Sequence, residues 1–255
     1  MKIGVVGLGL IGGSIFKELS TIKDYEVIGV SRSVKTKNVS NNYQSLKNCD
    51  LVFVCTPIDK TLETLDKLDK ILDSKTIVTD VCSVKGFVSK KKYNFKFIPS
   101  HPMAGTEYCG WENSFIGLFK GAKWAITPIE GEILSEQDIL ERIIQRLGAT
   151  PITTSAEEHD KAVALISHLP LFVAQALCKN IESNKLAQEL CATGFKDTTR
   201  LALSNLEMAK DMLNYNGENI NLAYDDFAKN FNVLIEGNYI ELARKIKEFR
   251  KNLYS

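Results

Sequence analysis

The sequence has little of what marks a protein that works through bulk charge, bound metal or disulfides. Its 32 basic residues are balanced by 31 acidic ones, leaving a formal net charge of +1. No excess of either sign is available to hold a nucleic acid or an anionic bilayer, so neither is expected as a partner. The six cysteines, Cys49, Cys55, Cys82, Cys109, Cys178 and Cys191, include no C-x-x-C pair and no metal-ligand spacing with histidine. No metal site is expected, and six reduced thiols fit a cytoplasmic address. Long apolar runs are missing as well: none approaches the roughly 18–20 residues that span a bilayer. The apolar start at residues 1–7 is too short for a secretion signal and lacks a small-residue cleavage site. Histidine is scarce, with only His101, His159 and His168.

What is present is an ordinary globular composition, 44% apolar and 25% charged, in 255 residues that allow one or two domains. Up to about residue 153, short Val-, Ile- and Phe-rich runs at 2–6, 26–30, 51–54, 76–79, 95–98 and 124–126 read as buried strands. Helical candidates at 10–20, 60–72 and 136–147 lie between them. Strand and helix in alternation predict a parallel sheet covered on both faces. After Pro151 the strand signal fades, and helical spacing runs through 156–180, 185–189, 198–215 and from 220 onward. The expected fold class is an α/β Rossmann domain with a parallel-rich sheet over 1–153, followed by an all-α domain over 154–255. Leu222, Phe227, Phe231, Leu234, Ile235, Leu242, Ile246 and Phe249 form one apolar stripe in the latter. A stripe of that length is best buried against a second copy, so a homodimer is expected.

Gly7-Leu8-Gly9-Leu10-Ile11-Gly12 follows the first strand directly and opens the first helix. Gly7 permits the tight turn, Gly9 lets the backbone approach a pyrophosphate, and Gly12 allows close helix–strand packing, while helix N–H groups hold the anion. The second strand ends in Ser31-Arg32-Ser33, about 19 residues beyond Gly12, where an NAD site usually carries an acid. Arg32 with two flanking hydroxyls suits a 2′-phosphate, which favours NADP over NAD without excluding dual use. A solvated Arg32 is the alternative. Thr56 and Pro57 close the third strand on the ligand-binding edge, either lining the dinucleotide or only ending the strand.

His101 opens the segment Pro99-Ser100-His101-Pro102-Met103-Ala104-Gly105-Thr106-Glu107, read as a shaped loop on the same edge. An imidazole there suits removal of a hydroxyl proton as hydride leaves carbon. In Thr79-Asp80-Val81-Cys82-Ser83-Val84-Lys85-Gly86, Ser83 reads as a partner of His101 or as a helix cap. Lys85 reads as a carboxylate ligand or a solvated cation. Lys196 and Arg200 lie four apart, on one face if that segment is helical. His159 reads as a capping or packing residue at a helix start, and His168 as a packing residue or a neighbour of the substrate.

Together these segments, with Ser167-His168-Leu169-Pro170 and Gly194-Phe195-Lys196-Asp197-Thr198-Thr199-Arg200, resemble the prephenate/arogenate (cyclohexadienyl) dehydrogenase family of tyrosine biosynthesis. The resemblance implies NAD(P)-dependent oxidative decarboxylation of prephenate to 4-hydroxyphenylpyruvate, with arogenate as the other substrate. It implies His101 as proton acceptor, Ser83 beside it, and Arg200 on the ring carboxylate. Lys85 and Lys196 would add positive charge, and Thr106 and Glu107 would shape the mouth. It also implies a homodimer built through the helical domains. Several prephenate-using relatives carry a second histidine where this chain has Leu171. With the sequence ending at Ser255, the regulatory or mutase domains of some relatives are not expected. A non-catalytic dinucleotide-sensing module would need neither His101 nor Arg200.

Overall fold

The computed structural model describes residues 1–106, 108–129 and 135–254. Strands β1 (Lys2–Val6), β2 (Glu26–Val30), β3 (Val39–Ser40), β4 (Leu51–Val54), β5 (Ile77–Asp80) and β6 (Lys96–Phe97) form one sheet in the order β3-β2-β1-β4-β5-β6. Every pairing in it is parallel. The order reverses between β1 and β4, so their carboxyl ends open the crevice where Rossmann folds bind ligands. Strand β4 shows why its run is continuously apolar. Leu51 and Phe53 face the layer holding α1 (Leu10–Leu19), while Val52 and Val54 face α2 (Ile58–Asp69).

Three strands lie outside this sheet. β7 (Ser100–Pro102), β8 (Lys123–Ile126) and β9 (Thr150–Thr153) form a smaller one, antiparallel between β7 and β8 and parallel between β8 and β9. Helix α3 (Gln137–Arg146) precedes β9. His101 therefore sits on a strand, paired with Ala125, and not on the expected loop. Trp124 joins the two sheets. It is fully buried, its indole N–H donates to Ser100 Oγ at 2.9 Å, and its ring meets Phe53 edge-on and Phe119 at 5.1 Å.

The helical half comprises α4 (Ala156–Val163), a π turn at Ala164–His168, α5 (Leu169–Asn180), α6 (Lys185–Glu189), α7 (Thr193–Thr198), a 3-10 turn at Arg200–Leu203, α8 (Leu206–Glu236) and α9 (Tyr239–Asn252). Helix α8 is one element where the sequence suggested two, bent at Asn216 (φ −133°, ψ 17°). The continuous run Ala156–Asn180 is long and apolar enough to cross a membrane by length and composition, which the sequence reading overlooked. Its buried members include His159, Asp160 and His168, all engaged in polar contacts. The helical core itself is small, built on Ala164, Leu169, Leu171, Ala209, Met212, Ile220 and Ala223.

Truncating the side chain that ties the sheets should be costly. Trp124→Ala is expected to lose about 3–5 kcal/mol. That corresponds to a Tm lower by roughly 10 °C in a chain of this size, measured by a circular-dichroism melt. A melt within about 2 °C of the wild type would show that the sheets do not depend on this contact.

Candidate active site

The glycine loop is built for close approach. Gly7 has φ +86°, and its N–H donates to Val30 O at 2.9 Å. A Cβ on Gly12 would lie 2.0 Å from Gly7 O, whereas nothing lies within 4 Å of the equivalent point on Gly9. Helix α1 has no side-chain cap and no acid in its first turn. Its first N–H groups are thus left without a side-chain acceptor, and its dipole favours a pyrophosphate there. These residues fit a dinucleotide. Leu8 is buried against β2, so it offers backbone only, and Leu10 and Ile11 are half-buried. Thr56 and Pro57 follow β4 beside Gly7; Thr56 Oγ1 lies 3.3 Å from Thr61 Oγ1, and Pro57 precedes α2. At the end of β2, Ser31 Oγ accepts the Ser33 and Val34 N–H groups, while Arg32 and Ser33 are exposed. The Arg32 charge reaches Lys60, Glu63 and Lys67 of α2.

The carboxyl end of β5 carries a buried ion pair. Asp80 and Lys85 are both fully buried, and the Lys85 ammonium donates to the Asp80 carboxylate and to Ser100 O. The expected substrate-facing role of Lys85 is thereby corrected: its charge is spent inside the fold, clamping the β5 loop to β7. Asp80 also accepts the N–H groups of Cys82 and Ser100. No helix starts at Ser83, so the capping alternative falls, and Ser83 Oγ is buried with no partner among the described residues.

His101, the next residue along β7, is half-buried. Its Nδ1 lies 3.0 Å from His159 Nε2, and His159 Nδ1 lies 2.8 Å from Asp160 Oδ1. Asp160 in turn accepts the N–H groups of Lys85 and Gly86, each at 2.7 Å. Burial, reinforced by His159, Lys85 and His168, holds the His101 imidazole well below its usual pKa. His168 is fully buried; the Asn216 amide nitrogen contacts both its Nδ1 (3.1 Å) and Asp160 O (2.9 Å). Because that nitrogen donates to a carbonyl it is an amide NH2, which makes His168 Nδ1 the acceptor and leaves Nε2–H without a partner.

Lys196 on α7 and Arg200 in the 3-10 turn are both exposed, and neither has a side-chain ion pair among the described residues. The helix ends at Thr198, so the two do not share one helix face as expected. Thr106 is exposed, its Oγ1 accepting the Tyr108 N–H. Glu107 lies outside the described residues.

Two family models match almost end to end: prephenate dehydrogenase, nucleotide-binding domain, over residues 21–153, and prephenate dehydrogenase, dimerization domain, over residues 155–252. The chain belongs to the prephenate dehydrogenase family. It is an oxidoreductase on a Rossmann frame, like the family members it resembles. The prephenate dehydrogenase of Bacillus subtilis is 28% identical over 88% of this chain, and that of Lactococcus lactis is 28% identical over 85%. This chain spans 67% and 65% of their lengths, about two thirds. The Synechocystis arogenate dehydrogenase structure superposes with TM-score 0.83 at 32% identity, covering 99% of this chain and 98% of that one. Prephenate dehydrogenase from Aquifex aeolicus, in complex with hydroxyphenyl propionate and NAD+, superposes with TM-score 0.84 at 28% identity, covering 99% and 96%.

Sequence reasoning passed over Asp160 and Asn216 in this dehydrogenase and read His159 only as a capping or packing residue. The available signal was a His-Asp pair in a segment with a separate cap: Ser155 already caps α4 by accepting the Glu158 N–H, leaving His159 without that task.

Burial makes the site sensitive to acid. Burial lowers the His168 pKa to about 4, with Asp160 opposing the shift, and His101 is lowered too. Below the unfolded histidine value of about 6.5, the unfolded chain binds protons that these folded imidazoles refuse, so stability falls as pH falls. Each group should contribute a slope of up to about 1.4 kcal/mol per pH unit from there down to its folded pKa. Denaturant melts of wild type and His168→Gln across this window should show a shallower slope in the variant. Equal slopes would mean that His168 titrates normally.

Proposed function

We propose that this dehydrogenase converts prephenate to 4-hydroxyphenylpyruvate and CO2. The observation that carries the reading is His101 on β7, a half-buried imidazole held well below its usual pKa and bonded at 3.0 Å to the buried His159. When bound, a nicotinamide dinucleotide supplies the hydride acceptor. The backbone of Gly7, Leu8, Gly9, Leu10, Ile11 and Gly12 holds its pyrophosphate, and Thr56 and Pro57 line its path. Ser31, Arg32 and Ser33 meet a 2′-phosphate, which makes NADP the preferred form and NAD the weaker one.

His101 takes the proton of the ring hydroxyl as the carbon–hydrogen bond of that carbon breaks. The ring carboxylate departs as CO2, its bonding pair enters the ring, and His101 returns the proton to the phenolate oxygen. Aromatisation supplies the driving force, so the chain's task is alignment and movement of one proton. Ser83 Oγ supports the hydroxyl. Arg200, with no competing carboxylate partner among the described residues, takes the ring carboxylate bidentately, and Lys196 adds positive charge. Thr106 and Glu107 shape the mouth.

Oxidation of arogenate to tyrosine is the second reading. Leu171, buried in the helical core, offers no polar group to the substrate side chain, and the structural neighbour from Synechocystis is an arogenate dehydrogenase. The exposed apolar side chains Leu222, Phe227, Phe231, Ile235, Ile246 and Phe249 on α8 and α9 support a homodimer through the helical half. Six free cysteines support a cytoplasmic setting.

The deciding assay follows reduced dinucleotide with prephenate and arogenate, each with NADP and NAD. Prephenate with NADP should be fastest, and His101→Asn should lower kcat by about 10²–10⁴-fold with dinucleotide affinity little changed. Turnover of neither substrate, or an active His101→Asn, would remove the proposal. Arg32→Ala should raise the NADP KM by about 10- to 100-fold, the loss of a charge-assisted contact, and leave NAD nearly unaffected. Equal losses would show that Arg32 does not read the 2′-phosphate.

A further inference from the structure

We propose that His159 and Asp160 are positioning residues that set the tautomer of His101, so that its lone pair stands on Nε2. The inference rests on His101 being the proton acceptor, and extends that reading to two residues from the other half of the chain.

The argument is one of donors and acceptors. Asp160 already accepts two backbone N–H groups, from Lys85 and Gly86, which holds it as a carboxylate. An acceptor 2.8 Å from His159 Nδ1 places that ring's proton on Nδ1. His159 Nε2 then carries a lone pair, and its neighbour at 3.0 Å, His101 Nδ1, must be the one that donates. With its proton engaged at Nδ1, neutral His101 has Nε2 free as the base. No other assignment satisfies both contacts while Asp160 stays ionised and both rings stay neutral. His159 and Asp160 are 4% and 5% exposed, so water does not compete for these bonds.

The same chain serves the protonated state. When His101 takes a proton on Nε2, its Nδ1–H stays bonded to His159, and the Asp160 charge stabilises the cation through that ring. This is the logic by which a buried aspartate holds the base of a serine hydrolase in one tautomer, with an extra imidazole interposed. The other charged or titratable groups facing His101 are the Lys85 ammonium, neutralised by Asp80, and the buried His168.

The first test reads the tautomer without substrate. Long-range proton–nitrogen correlation spectra of the labelled wild-type protein near neutral pH contain three histidine rings, with His101 assigned by its loss in His101→Asn. The expected result is a His101 ring protonated on Nδ1 and bare on Nε2; a proton on Nε2 overturns the proposal. The second test is kinetic. His159→Leu removes the acceptor and should lower kcat by about 30-fold or more, within the range of a misplaced general base, while KM stays within about threefold. His159→Gln places a carbonyl near the lost Nε2 and should recover most of that activity with the Nδ1–H tautomer restored. Folded His159→Leu with wild-type kcat, or folded Leu and Gln variants equally impaired, would reduce His159 to packing. A wild-type protein that shows the expected tautomer yet oxidises neither prephenate nor arogenate would retire the function and leave the tautomer assignment standing.

Discussion

Much of the site hangs on where one carboxylate is held. Asp160 enters from the first helix of the helical half and is received by the Lys85 and Gly86 N–H groups of the Rossmann half. Hydrogen bonds to a charged group contribute about 1.5–3 kcal/mol each, and leaving such a group buried without them costs more than that. The two halves therefore cannot slide past each other at this point without exposing or orphaning a charge. Ser83 is on the loop that Asp160 holds, His159 is beside it in sequence, and His101 is bonded to His159. One constraint thus sets the separation of three groups drawn from three segments of chain.

A second constraint lies beneath it. Asp80, Lys85, Ser100 and Trp124 form a closed buried network in which β5, its following loop, β7 and β8 each contribute a member. A buried ion pair gains little net stability over apolar residues of the same size. Its effect is geometric: each member is tied to another by a buried hydrogen bond, so Ser100 is held in place and His101 follows. Spending Lys85 in this way explains why a cation next to the site is no substrate ligand, while the exposed Arg200 and Lys196 keep their charge available.

The parallel sheet was legible because its information is local. Strands β1, β2 and β4 are short, mostly apolar runs, and the glycine pattern needs only a strand before it and a helix after. Strand β7 was not, since three residues containing a proline carry no period and their pairing partner, β8, lies more than 20 residues on. The roles of Lys85 and His159 were hidden for the same reason. Lys85 looks solvated until Asp80 is seen to be buried with it, and His159 looks like a capping residue until the fold brings it 58 positions back to His101. Spacing reports which face a residue is on, not which distant group it will meet.

The bend at Asn216 shows how the helical half is drawn into this arrangement. Asn216, followed by Gly217, is a weak helix former in the interior of a 31-residue helix, but weak propensity alone does not fix where the helix bends. Its amide, however, bonds both Asp160 O and His168 Nδ1, and its own oxygen accepts the Asn219 amide. Together these bonds offset the backbone hydrogen bonding disturbed at the bend. Beyond that bend the same helix carries Leu222, Phe227, Phe231 and Ile235 outward on its surface. The helix that bonds Asp160 and His168 at its bend is therefore also the one that carries this exposed apolar face, so the two features share one element.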